Sequence, residues 1–215
     1  MTPAPAWILL TVDARRDGQA AFDLLRSYVR TVQAVRTWLT ADDIERLEAV
    51  ALTPAAHRQA AAELTAWAAE EHPDDEVSPA DLVSAAAWHL EQAGDTEPAL
   101  TMYRRAVAAE GTTTPDARCL LHAALITAGQ LDETREVADD LRHSGPRIVD
   151  IAHMAEVFEL HGDLKQAHRW VAMGVTRLDL AAGSELPEDY EVEVLLNARR
   201  RVRQALGFPP DDLDQ

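Results

Sequence analysis

Three glycines, each followed by a polar residue, recur along the chain at nearly equal intervals. Gly94-Asp95, Gly129-Gln130 and Gly162-Asp163 are separated by about 35 and 33 residues, which is the interval of paired-helix repeats. Glycine suits a position where the chain leaves one helix in a left-handed conformation and reverses into the next. The spacing therefore predicts three helix pairs, with one helix before each glycine and one after it.

Apolar residues on both sides of these glycines recur at intervals of three and four, as the buried face of a helix requires. We expect the residues that lie between helices to be buried: Ala99, Tyr103, Ala106, Phe158, Ala167 and Trp170. The predicted helices of this region cover 79–93, 95–110, 115–128, 131–143, 147–161 and 163–180, followed by a helix over 188–206.

Helix starts are marked by hydroxyl residues that precede proline, since the hydroxyl caps the helix and the first turn tolerates proline. Thr53-Pro54, Ser78-Pro79 and Thr114-Pro115 have this form, and Thr40 with Asp43 resembles a capping box. Helices are therefore also predicted over 18–39, 41–52 and 54–71. The segment 6–12 suits a strand or a helix, and helix is the prediction.

The paired pattern has small and large residues at matching places. In the first unit these are Ala86, Ala87 and Leu90 before the glycine and Ala99, Tyr103 and Ala106 after it; in the third they are Met154, Ala155 and Phe158, then Ala167, Val171 and Gly174. This pattern resembles the tetratricopeptide repeat family, although the middle unit, with His122 and Thr134, follows it less closely.

The resemblance implies an all-α fold in which helix-turn-helix repeats stack as a right-handed superhelix. On this reading residues 1–76 form an N-terminal helical subdomain, 77–183 form three degenerate repeat units, and 184–215 form a capping helix with an acidic tail. The stretches 168–174 and 199–207 also look like actinobacterial repeat proteins that are fused to a SEC-C zinc motif. That cysteine-rich motif is absent here, so its metal-binding role is not carried over.

The net charge of the chain is -17, which argues against nucleic acid or an anionic membrane surface as the main partner. The longest early apolar run, 6–10, is too short to cross a membrane. Cys119 is the single cysteine, which favours a reducing compartment, and we expect a cytoplasmic protein.

Catalytic and metal-binding motifs are missing from the sequence: it has no phosphate-binding glycine loop, nucleophile elbow or dinucleotide fingerprint. Cys119 and His122 lie one turn apart, which is weak support for a nucleophile. His153, His161 and His168 cluster in the third unit without a metal-ligand spacing. We therefore expect neither an enzyme, nor a cofactor, nor a metal.

The family resemblance implies that a partner protein or peptide binds the concave face, which is formed by the first helix of each pair. The candidate residues on it are Asp81, Ser84, Trp88, Glu91, Glu156 and Glu159. Because the face carries acidic residues, we expect a basic or apolar partner segment, with Trp88 as its anchor. The alternative for Trp88 is packing against the N-terminal helices.

A run of arginines, Arg199, Arg200, Arg201 and Arg203, gives a second candidate partner surface. Pairing with acidic residues of the chain itself is the more conservative interpretation. A second functional hypothesis follows: the chain is a self-assembling structural or regulatory homo-oligomer, whose groove is filled by its own C-terminal helix or by that of a twin subunit.

Overall fold

The computed structural model describes residues 38–70, 72–181 and 189–214, and these residues form nine α-helices and no strand. The helices are α1 (Ala41–Val50), α2 (Pro54–Trp67), α3 (Pro79–Gln92), α4 (Thr96–Ala108), α5 (Ala117–Thr127), α6 (Leu131–His143), α7 (Ile148–Leu160), α8 (Leu164–Ala181) and α9 (Asp189–Ala205). A short 3-10 helix, Asp212–Asp214, follows. The fold is all-α, as the sequence predicts.

Neighbouring helices pack in chain order. Three pairs, α3 with α4, α5 with α6 and α7 with α8, follow α2, which packs on α3, and α9 lies against both α7 and α8. Residues Leu39–Gln215 belong to one compact unit. This unit contains α1 and α2 together with the three helix pairs.

Each of the three predicted glycines adopts a left-handed backbone conformation. The φ angles of Gly94, Gly129 and Gly162 are 81°, 73° and 78°. In each turn the residue after glycine donates its N–H to the carbonyl five residues earlier at 2.9 Å, as Asp95 does to Leu90. This pattern is a Schellman motif, which satisfies the last carbonyls of the first helix and reverses the chain.

The predicted caps are present at two of the three hydroxyl-proline pairs. The Thr53 hydroxyl accepts the Ala56 N–H at 3.2 Å, and the Ser78 hydroxyl accepts the Asp81 N–H at 3.1 Å. The prediction at Thr114-Pro115 is wrong: that peptide bond is cis, and α5 begins at Ala117.

Asp116 caps α5 instead, because its carboxylate accepts the Arg118 N–H at 2.9 Å. A second boundary also differs from the prediction, since the helix expected over 18–39 does not include Trp38 or Leu39. The Leu39 N–H donates to the Asp75 carboxylate at 2.8 Å, which holds this end of the chain in a non-helical conformation. The rest of that helix and the segment 6–12 lie outside the described residues.

The residues predicted to be buried between helices are buried, with one exception. Ala99, Ala106 and Ala167 are buried between helices, as are Tyr103 and Trp170. Phe158 is only partly buried, because it packs at the edge of the cluster that includes Trp170. The buried residues form several clusters along the helix pairs, and most of them are alanine or leucine.

Replacing a turn glycine should destabilise the protein through backbone strain alone. An added Cβ at Gly129 would meet no atom within 4 Å, but a left-handed conformation costs a residue with a Cβ about 1–2 kcal/mol. We expect Gly129→Ala to lower the free energy of unfolding by that amount in a urea titration. Gly129→Asn is the control and should cost less, since asparagine tolerates this conformation. Equal losses in both variants would contradict the interpretation.

Candidate functional site

Of the candidate residues of α3, Asp81 caps the helix and Ser84 is buried. The Asp81 carboxylate accepts the N–H of Ser78 at 2.9 Å and the Ser78 hydroxyl at 2.6 Å, and thereby completes a capping box. Ser84 is buried, and its hydroxyl oxygen has no hydrogen-bond partner in the described part of the chain. Ser84 is therefore covered by the protein, whereas Asp81 is half-buried at the start of α3.

The other two candidates of α3 also have contacts within the chain. The Trp88 ring packs edge-on against the rings of His57 in α2, at 5.7 Å between centroids, and of His89, at 5.0 Å. Glu91 accepts the hydroxyl hydrogen of Tyr103 in α4 at 2.9 Å. Trp88 stays half-buried, so one part of its indole packs on α2 and another part is accessible to solvent.

The arginine run of α9 binds acidic residues of two other segments. Arg201 contacts Glu159 of α7 at 3.1 Å and Glu156 at 3.8 Å. Arg200 is exposed and contacts Asn197 within the same helix at 3.4 Å. The structure thus brings Glu156 and Glu159 together with the arginine run, which the sequence could not indicate.

The two remaining arginines of the run point to the C-terminal segment. Arg199 donates to the Asp211 carboxylate at 2.9 Å, and Arg203 contacts the same carboxylate at 3.0 Å and the Pro209 carbonyl at 2.7 Å. The hydrogen bond from Arg199 lowers the pKa of Asp211 to about 2. These bonds hold Pro209 and Asp211, which follow α9, against that helix.

Cys119 and His122 of α5 are both fully buried. Burial raises the pKa of the Cys119 thiol, and the neighbouring carboxylate of Asp150 adds to the effect, which opposes the thiolate form that a nucleophile needs. The His122 ring packs edge-on against Phe158 of α7, at 4.8 Å between centroids. The two side chains therefore have different surroundings, a carboxylate and an aromatic ring.

The histidines of the third pair do not form part of a metal site in the described chain. Among the described residues, no set of three histidine, cysteine, aspartate or glutamate side chains could hold a metal ion. Within the same residues, none of the helices has both the length and the apolar character needed to cross a membrane.

The junction between the second and third helix pairs is open. Every other pair of consecutive helices packs closely, but in the described chain no Cα atom of α6 lies within 8 Å of a Cα atom of α7 or α8. Larger side chains bridge the gap instead: Arg142 of α6 places its guanidinium 5.3 Å from the centre of the Trp170 ring in α8. The result is a cleft between the two pairs.

This cleft has a volume of about 810 Å³ and receives residues from all four helices of the two pairs. Its apolar wall comes from Ile126, Leu131, Ala138, Phe158, Trp170 and Met173, and its charged and polar groups come from His122, Thr134, Arg135, Asp139, Arg142, His161, Asp163, Gln166 and Arg169. We call this space the inter-pair cleft. Its volume falls within the range of sites for small ligands.

Three residues of the inter-pair cleft have buried polar atoms without a hydrogen-bond partner in the described chain. They are both ring nitrogens of His122, the indole nitrogen of Trp170 and the amide oxygen of Gln166. Such atoms are rare in folded proteins, because an unpaired buried polar group costs about 1–3 kcal/mol. Four of the seven such atoms in the described chain belong to these three residues.

A buried carboxylate holds the two pairs in this arrangement. Asp150, at the start of α7, is only 2% exposed and accepts hydrogen bonds from the Asp116 N–H of the second pair, at 2.8 Å, and from the Arg147 N–H, at 2.9 Å. The Arg147 guanidinium also donates to the Thr113 carbonyl at 2.7 Å. These bonds connect the loops at one end of the junction, while the inter-pair cleft opens along the helices.

Sequence reasoning did not predict the inter-pair cleft, since Arg135, Arg142 and Arg169 stand at ordinary surface positions of their helices. One signal was present: the middle unit departs from the repeat pattern, with His122 and Thr134 at places where small or apolar residues are expected. Both residues line the inter-pair cleft.

No protein-family model, curated protein or solved structure matches this chain.

We expect the stability of the protein to depend on pH through His122. Burial lowers the pKa of His122 from its usual value of 6.5 to about 4, so between these pH values the unfolded chain binds the proton more readily than the folded chain. The neutral His122 side chain makes its full contribution to the free energy of unfolding above pH 6.5. As the pH falls from 6.5 toward 4, this free energy decreases by up to about 3 kcal/mol.

Urea titrations between neutral and acidic pH measure this dependence. His122→Leu should flatten the profile, whereas His143→Leu, at an exposed histidine of α6, should leave it unchanged. His89 and His153 contribute in the same direction, since burial also lowers their pKa values. A profile that is equally steep in His122→Leu would contradict the assignment.

Proposed function

We propose that this chain is an interaction scaffold of the tetratricopeptide repeat type, which binds a segment of a partner polypeptide on the face formed by the first helices of its pairs, α3, α5 and α7. The proposal is supported by the three helix pairs and by their matching glycine turns. Arrays of this kind present a long surface on which a partner segment can lie.

The observation that carries the proposal is the contact of Arg201 with Glu156 and Glu159. It places the side chain of an arginine-rich helix, α9, on the acidic side of a first helix, α7, at 3.1 Å from Glu159. A first helix of this array therefore already accommodates a basic helix within the same chain. A partner segment with basic and apolar residues would use the same kind of contact at Glu91 of α3 and at the exposed Glu156 of α7.

The charge of the molecule fits this class of partner. At -17 the chain attracts basic segments and repels the phosphates of nucleic acids and of anionic membrane surfaces. The partly accessible Trp88 offers an aromatic anchor next to Glu91. We place the protein in the cytoplasm, because its single cysteine, Cys119, is free and buried, as a reducing compartment allows.

A second candidate function is a homo-oligomer in which α9 of one subunit packs on α7 of another. The same Arg201 contacts favour it, because an exchange of identical helices between subunits preserves every bond that the single chain makes. Light scattering across a range of protein concentrations separates the two functions. A scaffold stays monomeric without its partner, whereas the exchanged form shifts to a larger mass as the concentration rises.

Binding to an array of short synthetic peptides of varied charge tests the scaffold function. We expect basic and apolar sequences to be enriched, and their affinity to fall as the salt concentration rises. Glu156→Arg should weaken the best basic peptide about tenfold, since it replaces an attraction by a repulsion. Trp88→Ala should mainly accelerate dissociation.

Glu136→Arg is the matched control, because it makes the same change in net charge. Glu136 is exposed on α6, which is the second helix of its pair. Its affinity for the peptide should stay close to that of the parent protein. Enrichment of acidic peptides, or equal losses in Glu156→Arg and Glu136→Arg, would rule out the first-helix face as the binding surface.

A further inference from the structure

We propose that the inter-pair cleft, between α6 and α8, binds a small organic carboxylate with an aromatic body. This ligand is separate from the partner polypeptide proposed above, and the cleft lies mainly between second helices of the pairs. The proposal is based on the shape of the cleft, its aromatic wall, its cationic side chains and the unpaired polar atoms behind them.

The volume and the wall of the cleft fit a flat apolar group. About 810 Å³ exceeds what one or two ring systems require and lies within the range of ligand sites in proteins. Trp170, Phe158 and Met173 come from the third pair, and Ile126 and Leu131 come from the second. An aromatic ring placed between the pairs would contact apolar side chains on both sides and fill the space that α6 and α8 leave open.

The charge of the cleft is opposite to that of the molecule. Arg135, Arg142 and Arg169 line it together with two aspartates, Asp139 and Asp163, in a chain whose net charge is -17. Each aspartate already has a partner, since Asp139 binds Arg142 at 2.7 Å and Asp163 accepts the N–H of Gln166 at 3.1 Å.

Arg169 is the available cation. In the described chain, no carboxylate oxygen lies within 4.0 Å of the Arg169 guanidinium. Arg135, in contrast, forms an ion pair with Asp132 at 2.7 Å on the exposed side of α6. A guanidinium presents two parallel N–H groups, which match the two oxygens of a carboxylate. One carboxylate at this point would complete the ion pairing of the cleft.

Arg142 shows how a cation and an aromatic surface are combined here. Its guanidinium lies over the Trp170 indole at 5.3 Å from the ring centre, a cation-π contact that fixes both groups. A ligand ring that packs along the same wall would lie beside this cation. The cleft therefore selects for a molecule with an apolar body and one negative charge, and selects against a polyanion, for which the cations are too few.

Buried polar atoms without a hydrogen-bond partner in the described chain lie behind the wall of the cleft. At neutral pH the His122 imidazole is uncharged, and therefore offers one N–H donor and one acceptor, while the Trp170 indole offers a donor. Neither residue has a partner for these atoms in the described chain. Phe158 packs edge-on against His122 and is itself only partly buried.

Isothermal titration calorimetry with three probes tests the proposal: naphthalene carboxylate, naphthalene methanol and acetate. The first combines the aromatic body with the charge, the second has the body alone, and the third has the charge alone. We expect the full-length protein to bind naphthalene carboxylate at least about tenfold more tightly than either of the other two, since a hydrogen bond to a charged group outweighs one to a neutral group.

Two variants locate the binding in the cleft. Arg169→Gln should weaken naphthalene carboxylate about tenfold and leave naphthalene methanol unchanged, while Arg105→Gln, at an exposed arginine of α4 outside the cleft, should change neither. Leu131→Asp should abolish carboxylate binding. It is expected to fold, because Leu131 is 54% exposed and an acidic residue is favourable in the first turn of α6.

Leu160→Asp is the matched control for Leu131→Asp, since Leu160 is 77% exposed and does not line the cleft. The proposal is overturned if naphthalene carboxylate does not bind, if Arg169→Gln and Leu131→Asp bind it as the parent does, or if naphthalene methanol binds equally well. None of these outcomes affects the peptide array, which depends on Trp88 and Glu156, so the two proposals fail independently.

Discussion

The left-handed glycine turn is the constraint on which the rest of the structure depends. Gly94, Gly129 and Gly162 each end a first helix with the same two backbone hydrogen bonds, in which glycine and the residue after it donate to carbonyls of the last turn. Because only glycine adopts this conformation without cost, the three turns fix where each helix reverses. The small residues of the pair, such as Ala99 and Ala167, then meet their partner helix, and the core follows.

The same constraint does not determine how one pair stacks on the next. Between the second and third pairs the stacking is set by side chains: Asp150 binds the loops of both pairs at one end, and Trp170 with Arg142 fills part of the space between the helices. Bulky groups at the junction and a buried carboxylate beside it are incompatible with close approach of α6 to α7. The inter-pair cleft is the consequence, and there the described helices depart from close packing of consecutive elements.

The sequence predicted the helices well, because glycine and capping residues act locally. The helix expected over 163–180 is observed as Leu164–Ala181, and the one expected over 188–206 as Asp189–Ala205. The predicted helix start at Thr114-Pro115 is wrong, because the carboxylate of Asp116 caps α5. The contact of Arg201 with Glu159 and the lining of the cleft could not be predicted from the sequence. Arg201 and Glu159 are 42 residues apart, and the cleft residues come from two different helix pairs. The repeat spacing indicates where helices begin and end, and it does not indicate which side chains of different pairs meet.

The separation of α6 and α8 across the cleft is the measurement that tests this account most directly. Spin labels at Glu136→Cys and Ala172→Cys, two exposed positions on these helices, in a Cys119→Ala background would report it as a distribution of distances. The account predicts one narrow distribution, because the Asp150 hydrogen bonds and the Trp170 side chain hold the pairs apart without a ligand. A broad distribution, or a second population at shorter distance in which the helices pack together, would contradict a preformed cleft.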